Sequence, residues 1–158
     1  MYLFRFSSYL FFFVAPMNII KEGQLKKKKK KGGKLTKKWT TKYFILKQNN
    51  QMDSYSFTYY KNKKELKTPS GIFEFTVDTV ISAFNLSGNK KFCFIIQSTN
   101  NSDEDKALIL QAKSKEEYEE WMIKITNCIE LITINSVKRN DLVEKDGKRF
   151  FFGKIGFN

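Results

Sequence analysis

The apolar residues of this chain recur with a period of two from Ile19 to Lys113 and with a period of 3.6 after Ser114. A strand turns every second side chain to one face and a helix every third or fourth, so the switch marks where sheet gives way to helix. The period-two part is cut into short runs at 19–28, 38–47, 54–61, 72–77, 79–84, 91–99 and 107–113. The cuts fall at Gly32-Gly33, Asn49-Asn50, Pro69-Ser70-Gly71, Leu86 to Asn89 and N-N-S-D-E-D at 100–105, all with ordinary turn chemistry. Strands this closely spaced predict an antiparallel meander, and a sheet of that size curls into a sandwich or barrel to bury one face.

The helix announces itself at its first turn. Ser114 followed three residues later by Glu117 is a capping box, and Glu116, Glu117, Glu119 and Glu120 place negative charge where the helix dipole favours it. Tyr118, Trp121, Met122, Ile125, Ile129 and Ile132 then form one apolar stripe. That stripe requires a hydrophobic partner, and the open end of the barrel supplies one. The tail 133–158 is polar and closes on R-F-F-F-G-K-I-G-F, which reads as a linker plus a further element or an added strand. Residues 1–18 are mostly apolar and aromatic, with a single charge at Arg5, and read as an extension outside the fold with Met17 as an alternative start. A short apolar membrane anchor is the functional rival for that segment, and a secretory signal is disfavoured by the poor cleavage context near Ala15.

Composition narrows the chemistry. The 158 residues contain no His, which removes the commonest general base and metal ligand, so no enzyme activity, metal or cofactor is expected. Cys93 and Cys128 are too few for a disulfide framework or a Cys-rich zinc site and read as two buried thiols. The formal net charge is +13, and residues 21–68 carry all of it, with 16 Lys against Glu22, Asp53 and Glu65. Outside that window 13 basic residues balance 13 acidic ones. One strongly positive end calls for a polyanion: an anionic membrane leaflet, an acidic protein or nucleic acid.

Four pieces of sequence carry a family resemblance. K-E-G-Q-L-K-K at 21–27, W-T-T-K-Y-F-I-L at 39–46, Y-Y-K at 59–61 and E-E-W at 119–121 together resemble a pleckstrin homology (PH) domain over residues 19–132. The resemblance implies a mainly β fold, a seven-stranded, partly open antiparallel barrel capped by a C-terminal α-helix, with Trp121 as the core anchor of the cap. It also implies a phosphoinositide headgroup held by the loop between the first two strands. Lys27 then stands late in strand one and Lys42 on strand two, while Thr40 replaces an expected basic residue between them. Lys34, Lys37 and Lys38 can substitute from the loop, and Tyr60 with Lys61 would form a third-strand wall. Asp103, Glu104 and Asp105, between strands six and seven, would border the same mouth and repel an anion.

The lysine run needs no pocket to act. Lys26, Lys27, Lys28, Lys29, Lys30 and Lys31 on a projecting loop offer a nonspecific field for anionic lipid, because lysine is a point charge without arginine's fork. A merely solvated loop and a nuclear-import or nucleic-acid role are the rivals, the latter opposed by the absence of an aromatic stacking platform. G-G-K-L-T at 32–36 is not a phosphate loop, since the earlier glycine is missing and Leu35 follows the lysine. The expectation is therefore a noncatalytic, cytoplasmic module, peripheral at membranes, binding anionic phospholipids. An adaptor docking an acidic partner is the alternative from another class.

Overall fold

Alternation of apolar and polar residues draws the chain into seven strands: β1 (Asn18–Lys31), β2 (Lys34–Gln48), β3 (Tyr55–Tyr60), β4 (Gly71–Glu74), β5 (Thr79–Ala83), β6 (Cys93–Ser98) and β7 (Leu108–Gln111). One helix, α1 (Lys115–Phe151), follows. The computed structural model describes residues 18–31, 34–49, 54–85, 91–100 and 107–151, those at 30–31, 34–37 and 140–151 by backbone alone. Residues 1–17 of the 1–18 extension, Gly32-Gly33 and Asp103 to Asp105 lie outside the described residues, while Asn18 opens β1.

All the strand pairs are antiparallel within one sheet, in the order β4-β3-β2-β1-β7-β6-β5. β4 and β5 are its edges, so the expected barrel forms and stays open. Its inner face carries Leu25, Phe44, Leu46, Phe57, Phe94, Ile96 and Leu110, each at most 1% exposed. Where β1 meets β7 only two residue pairs form, Lys26↔Gln111 and Lys27↔Leu110. β1 and β2 continue together past that junction as a two-stranded ribbon.

The ribbon corrects one expectation. Lys26 to Lys28 and Lys38 lie on strands as expected, but β1 also takes in Lys29 to Lys31, and β2 takes in Lys34 and Lys37, where the loop was expected. Cross-strand pairing continues through Lys30↔Leu35 and Lys31↔Lys34, so the ladder overrides the poor strand propensity of lysine. Between Lys28↔Trp39 and Lys30↔Leu35 the register shifts, and Lys29 faces residues 36–38 across a bulge.

The helix caps the barrel as its stripe requires. Trp121 and Ile125 are fully buried, with Cys128 and Ile132 nearly so, and the Trp121 ring lies 5.4 Å from Phe57. Gly23 lies against this ring, at a distance where a Cβ would stand 3.4 Å from Trp121 Cζ2, in ordinary contact. Lys21 bridges to Glu120 at 2.6 Å and lies 4.8 Å over the Trp121 ring, closing the cap from outside. At the N-terminus the Glu117 amide donates to Ser114 Oγ at 3.3 Å, while Glu117 Oε2 accepts from the Lys113 amide at 3.1 Å. The capping box forms, reaching one residue further back than its usual pairing.

Beyond Ile132, where a linker or strand was expected, the helix runs on to Phe151. No Gly or Pro interrupts residues 115–146, and once nucleated a helix propagates at low cost per residue. From Thr133 to Arg139 the side chains are exposed or half-buried, so the polar composition of that turn reflects loss of a packing partner, not loss of helix. Both cysteines are buried and neither is in a disulfide, and burial raises the Cys128 thiol to about 11, so it stays protonated.

Candidate functional site

Strand register decides what the open mouth contains. Residues paired across an antiparallel ladder point to the same face, and Gly23↔Phe44, Leu25↔Lys42 and Lys27↔Thr40 are successive same-face pairs. Leu25 and Phe44 belong to the core, so Lys27, Thr40 and Lys42 stand on the inner face, just past the last buried layer. Both lysines are half-buried. The Thr40 hydroxyl donates to the Lys27 carbonyl at 3.5 Å, which occupies it with backbone rather than leaving it for a ligand.

The third-strand wall differs from expectation. Tyr60 pairs with Tyr43 on the outer face, whereas Tyr59 pairs with Phe44 on the inner one. It is Tyr59 whose ring sits 5.3 Å below Lys27 Nζ and 5.3 Å from Phe44, a cation over an aromatic face at the floor of the mouth. Burial holds the Tyr59 phenol above its usual range, so it remains a neutral donor at physiological pH. The parity of Y-Y-K with buried Phe57 was the sequence signal that selects Tyr59. Lys61 is exposed and pairs with Glu65 at 3.7 Å.

Gly71 locks the Tyr59 ring in place. It faces Tyr59 across the β3–β4 ladder, and a Cβ there would collide with the Tyr59 phenol. Gly71→Ala is therefore expected to displace the ring and release Lys27 from it while the fold survives, which the Tyr59 ring-proton chemical shifts in nuclear magnetic resonance check.

The remaining lysines divide between faces. Lys26 and Lys28 are on the outer face, Lys28 lying 5.8 Å over the Trp39 ring, while Lys29 and Lys38 are exposed near the bulge. Lys30, Lys31, Lys34 and Lys37 are placed by backbone only, near the ribbon's end. Two of the three acidic residues in the basic window are engaged elsewhere: Glu65 with Lys61, and Glu22 with Lys63 at 3.6 Å. Lys63 also covers the buried Tyr43 ring at 5.6 Å, and the phenol followed by Glu22 raises its pKa. Among the described residues no group of acidic or sulfur ligands could hold a metal ion.

An open seven-stranded sheet, a C-terminal helix plugging one end and a basic ribbon at the other now stand together, and the PH domain family model matches residues 19–130. The chain belongs to the PH domain family. Solved structures agree. The C-terminal PH domain of human pleckstrin is 25% identical with a TM-score of 0.53, over 72% of this chain and 90% of that one. The PH domain of human KIAA0053 protein is 27% identical with a TM-score of 0.52, over 73% and 89%. The PH domain of human pleckstrin homology domain-containing protein family A member 5, at 19% identity and TM-score 0.52, shares the fold over 73% and 80%. No curated protein matches the chain significantly. PH domains are generally noncatalytic modules that bind lipids or proteins, and no helix among the described residues is long and apolar enough to cross a membrane.

Proposed function

We propose that this PH domain is a noncatalytic module that attaches peripherally to anionic membranes. It takes a phosphoinositide headgroup at the inner face of the β1–β2 ribbon. The observation that carries the reading is that Lys27 and Lys42 share the inner face of the β1–β2 ladder, Lys27 lying over the Tyr59 ring, with the chain's whole net charge in the surrounding segment. Two half-buried ammonium groups at the rim of a low-dielectric core attract a phosphoryl group more strongly than solvated ones do. Tyr59 adds a hydroxyl for a ring oxygen. Thr40 offers no charge, so selectivity among phosphoinositide isomers is modest.

Flotation with phosphatidylcholine vesicles, with and without a phosphoinositide, tests the reading. Binding that requires the phosphoinositide upholds it. Equal binding to neutral vesicles, or none to either, overturns it, and capture of an acidic peptide in that last case favours the adaptor. Lys42→Ala is expected to abolish preference among phosphoinositide isomers and leave weak binding to phosphatidylserine, because the other lysines still supply a field. Titration with soluble inositol phosphates separates the outcomes: a headgroup site binds them at micromolar concentration, whereas a sticky surface binds only vesicles.

A further inference from the structure

The helix α1 is apolar on two faces. Trp121, Ile125, Cys128 and Ile132 fill the barrel end, while Ile123, Leu131, Ile134 and Val137 lie between 45% and 58% exposed. At about 100° per residue the second set falls within a wedge of about 120°, on the side of the helix away from the first. Scattered apolar residues are ordinary on a folded surface, but a stripe of four on one helix face marks a surface that packs. Three of the four are β-branched, which lowers helix propensity, so propensity does not account for them.

The path of β1 brings a further segment to this face. A Cβ on Gly23 would stand 3.6 Å from Glu117 Oε1, and two residues earlier in the strand Lys21 Nζ meets Glu120 Oε2 at 2.6 Å. Followed backwards, β1 therefore runs alongside α1 followed forwards. Three more residues at about 3.3 Å each carry the strand to Asn18, a distance of about two helical turns, which brings its start level with Ile123 to Asn127. Ahead of Asn18 stand residues 1–17, M-Y-L-F-R-F-S-S-Y-L-F-F-F-V-A-P-M, apolar and aromatic almost throughout. Fully extended they span about 56 Å, and the stripe from Ile123 to Val137 is about 21 Å long, so they reach all of it. Their single charge is Arg5. It is opposite in sign to Glu130, which stands exposed within the stripe and in no ion pair among the described residues.

We propose that residues 1–17 dock along the outer face of α1 and cover Ile123, Leu131, Ile134 and Val137. Two apolar surfaces that each face water are buried against one another, and tethering at Asn18 removes the entropy cost of bringing them together from separate molecules. The docking face lies apart from Lys27 and Lys42, so the inference is independent of the lipid reading.

Paramagnetic relaxation in the full chain tests it, with a nitroxide on Ser8→Cys, a single label confirmed by mass, and isotope-labelled Ile, Leu and Val methyls. The methyl signals of Ile123, Leu131, Ile134 and Val137 are expected to broaden. Ile72, as exposed on the edge strand β4, is the control, and equal broadening there overturns the proposal by showing a nonspecific apolar contact. Ile134→Asp combined with Val137→Asp alters only exposed positions and should abolish the broadening at Ile123 and Leu131. Its persistence overturns the proposal. Without any variant of α1, a chain that starts at Met17 should show shifted signals for the same four methyls, and unchanged signals overturn the proposal as well. Mixing nitroxide-bearing chains that carry no isotope with isotope-labelled chains that carry no nitroxide should give no broadening. Broadening in the mixture assigns the stripe to a second copy, against the proposal. Flotation with phosphatidylcholine vesicles that is lost on removing residues 1–16, with no broadening in solution, makes the segment a membrane anchor and also overturns it.

Discussion

Trp121→Ala is expected to lower the melting temperature steeply and to leave the protein partly or wholly unfolded at physiological temperature. Removing a fully buried ring leaves a cavity between Phe57, Gly23 and the helix, at a cost of about 3 to 5 kcal/mol. A domain of this size has roughly 5 to 15 kcal/mol in total. The loss has a second component, because Lys21 is folded over that ring and against Glu120, and its cover goes with it. Thermal unfolding followed by circular dichroism measures the effect. A melting temperature within a degree of the unmodified protein would mean the helix does not seal the barrel through this residue.

The second large effect concerns membrane attachment. Each lysine close to an anionic leaflet contributes about 1 kcal/mol, so five acting from a flexible loop would reach about 5 kcal/mol and more than a thousandfold in partitioning. On a strand they cannot all act at once. Alternation sends Lys27 and Lys29 to one face and Lys26 and Lys28 to the other, and the far row lies about a Debye length away. About three lysines engaged at a time then give about 3 kcal/mol, roughly a hundredfold. Replacing Lys26 to Lys31 with Gln is thus expected to reduce binding to phosphatidylserine vesicles by about that factor, and raised salt should mimic the change in the unmodified protein. Flotation at low and high ionic strength reads both. Unchanged flotation of the Gln variant would remove the ribbon from the mechanism.

Cap and ribbon were legible in the sequence to different depths. S-K-E-E at 114–117 and the stripe through Trp121 locate the cap, because capping and 3.6-residue periodicity are local properties that the chain carries wherever it packs. The strand order along the chain and the seven runs are local in the same sense. The two strands of the lysine hairpin were ended too early, at residue 28 and from residue 38, because charge repulsion is visible in a sequence and a cross-strand ladder is not. The helix beyond Ile132 was misread for the converse reason: a stripe ends where packing ends, but hydrogen bonding along the axis does not.

The sequence by itself determined that the chain has an alternating sheet region, one capping helix, a buried Trp121 and a single basic end, since period, caps and charge are written residue by residue. Only the tertiary structure decided which face Lys26, Lys27, Lys28 and Lys42 take and that Tyr59 rather than Tyr60 underlies Lys27. The physical reason is register. A one-residue shift between strands reverses every side chain, and register is set by pairing between segments that lie far apart in the chain, as Lys26 and Gln111 do.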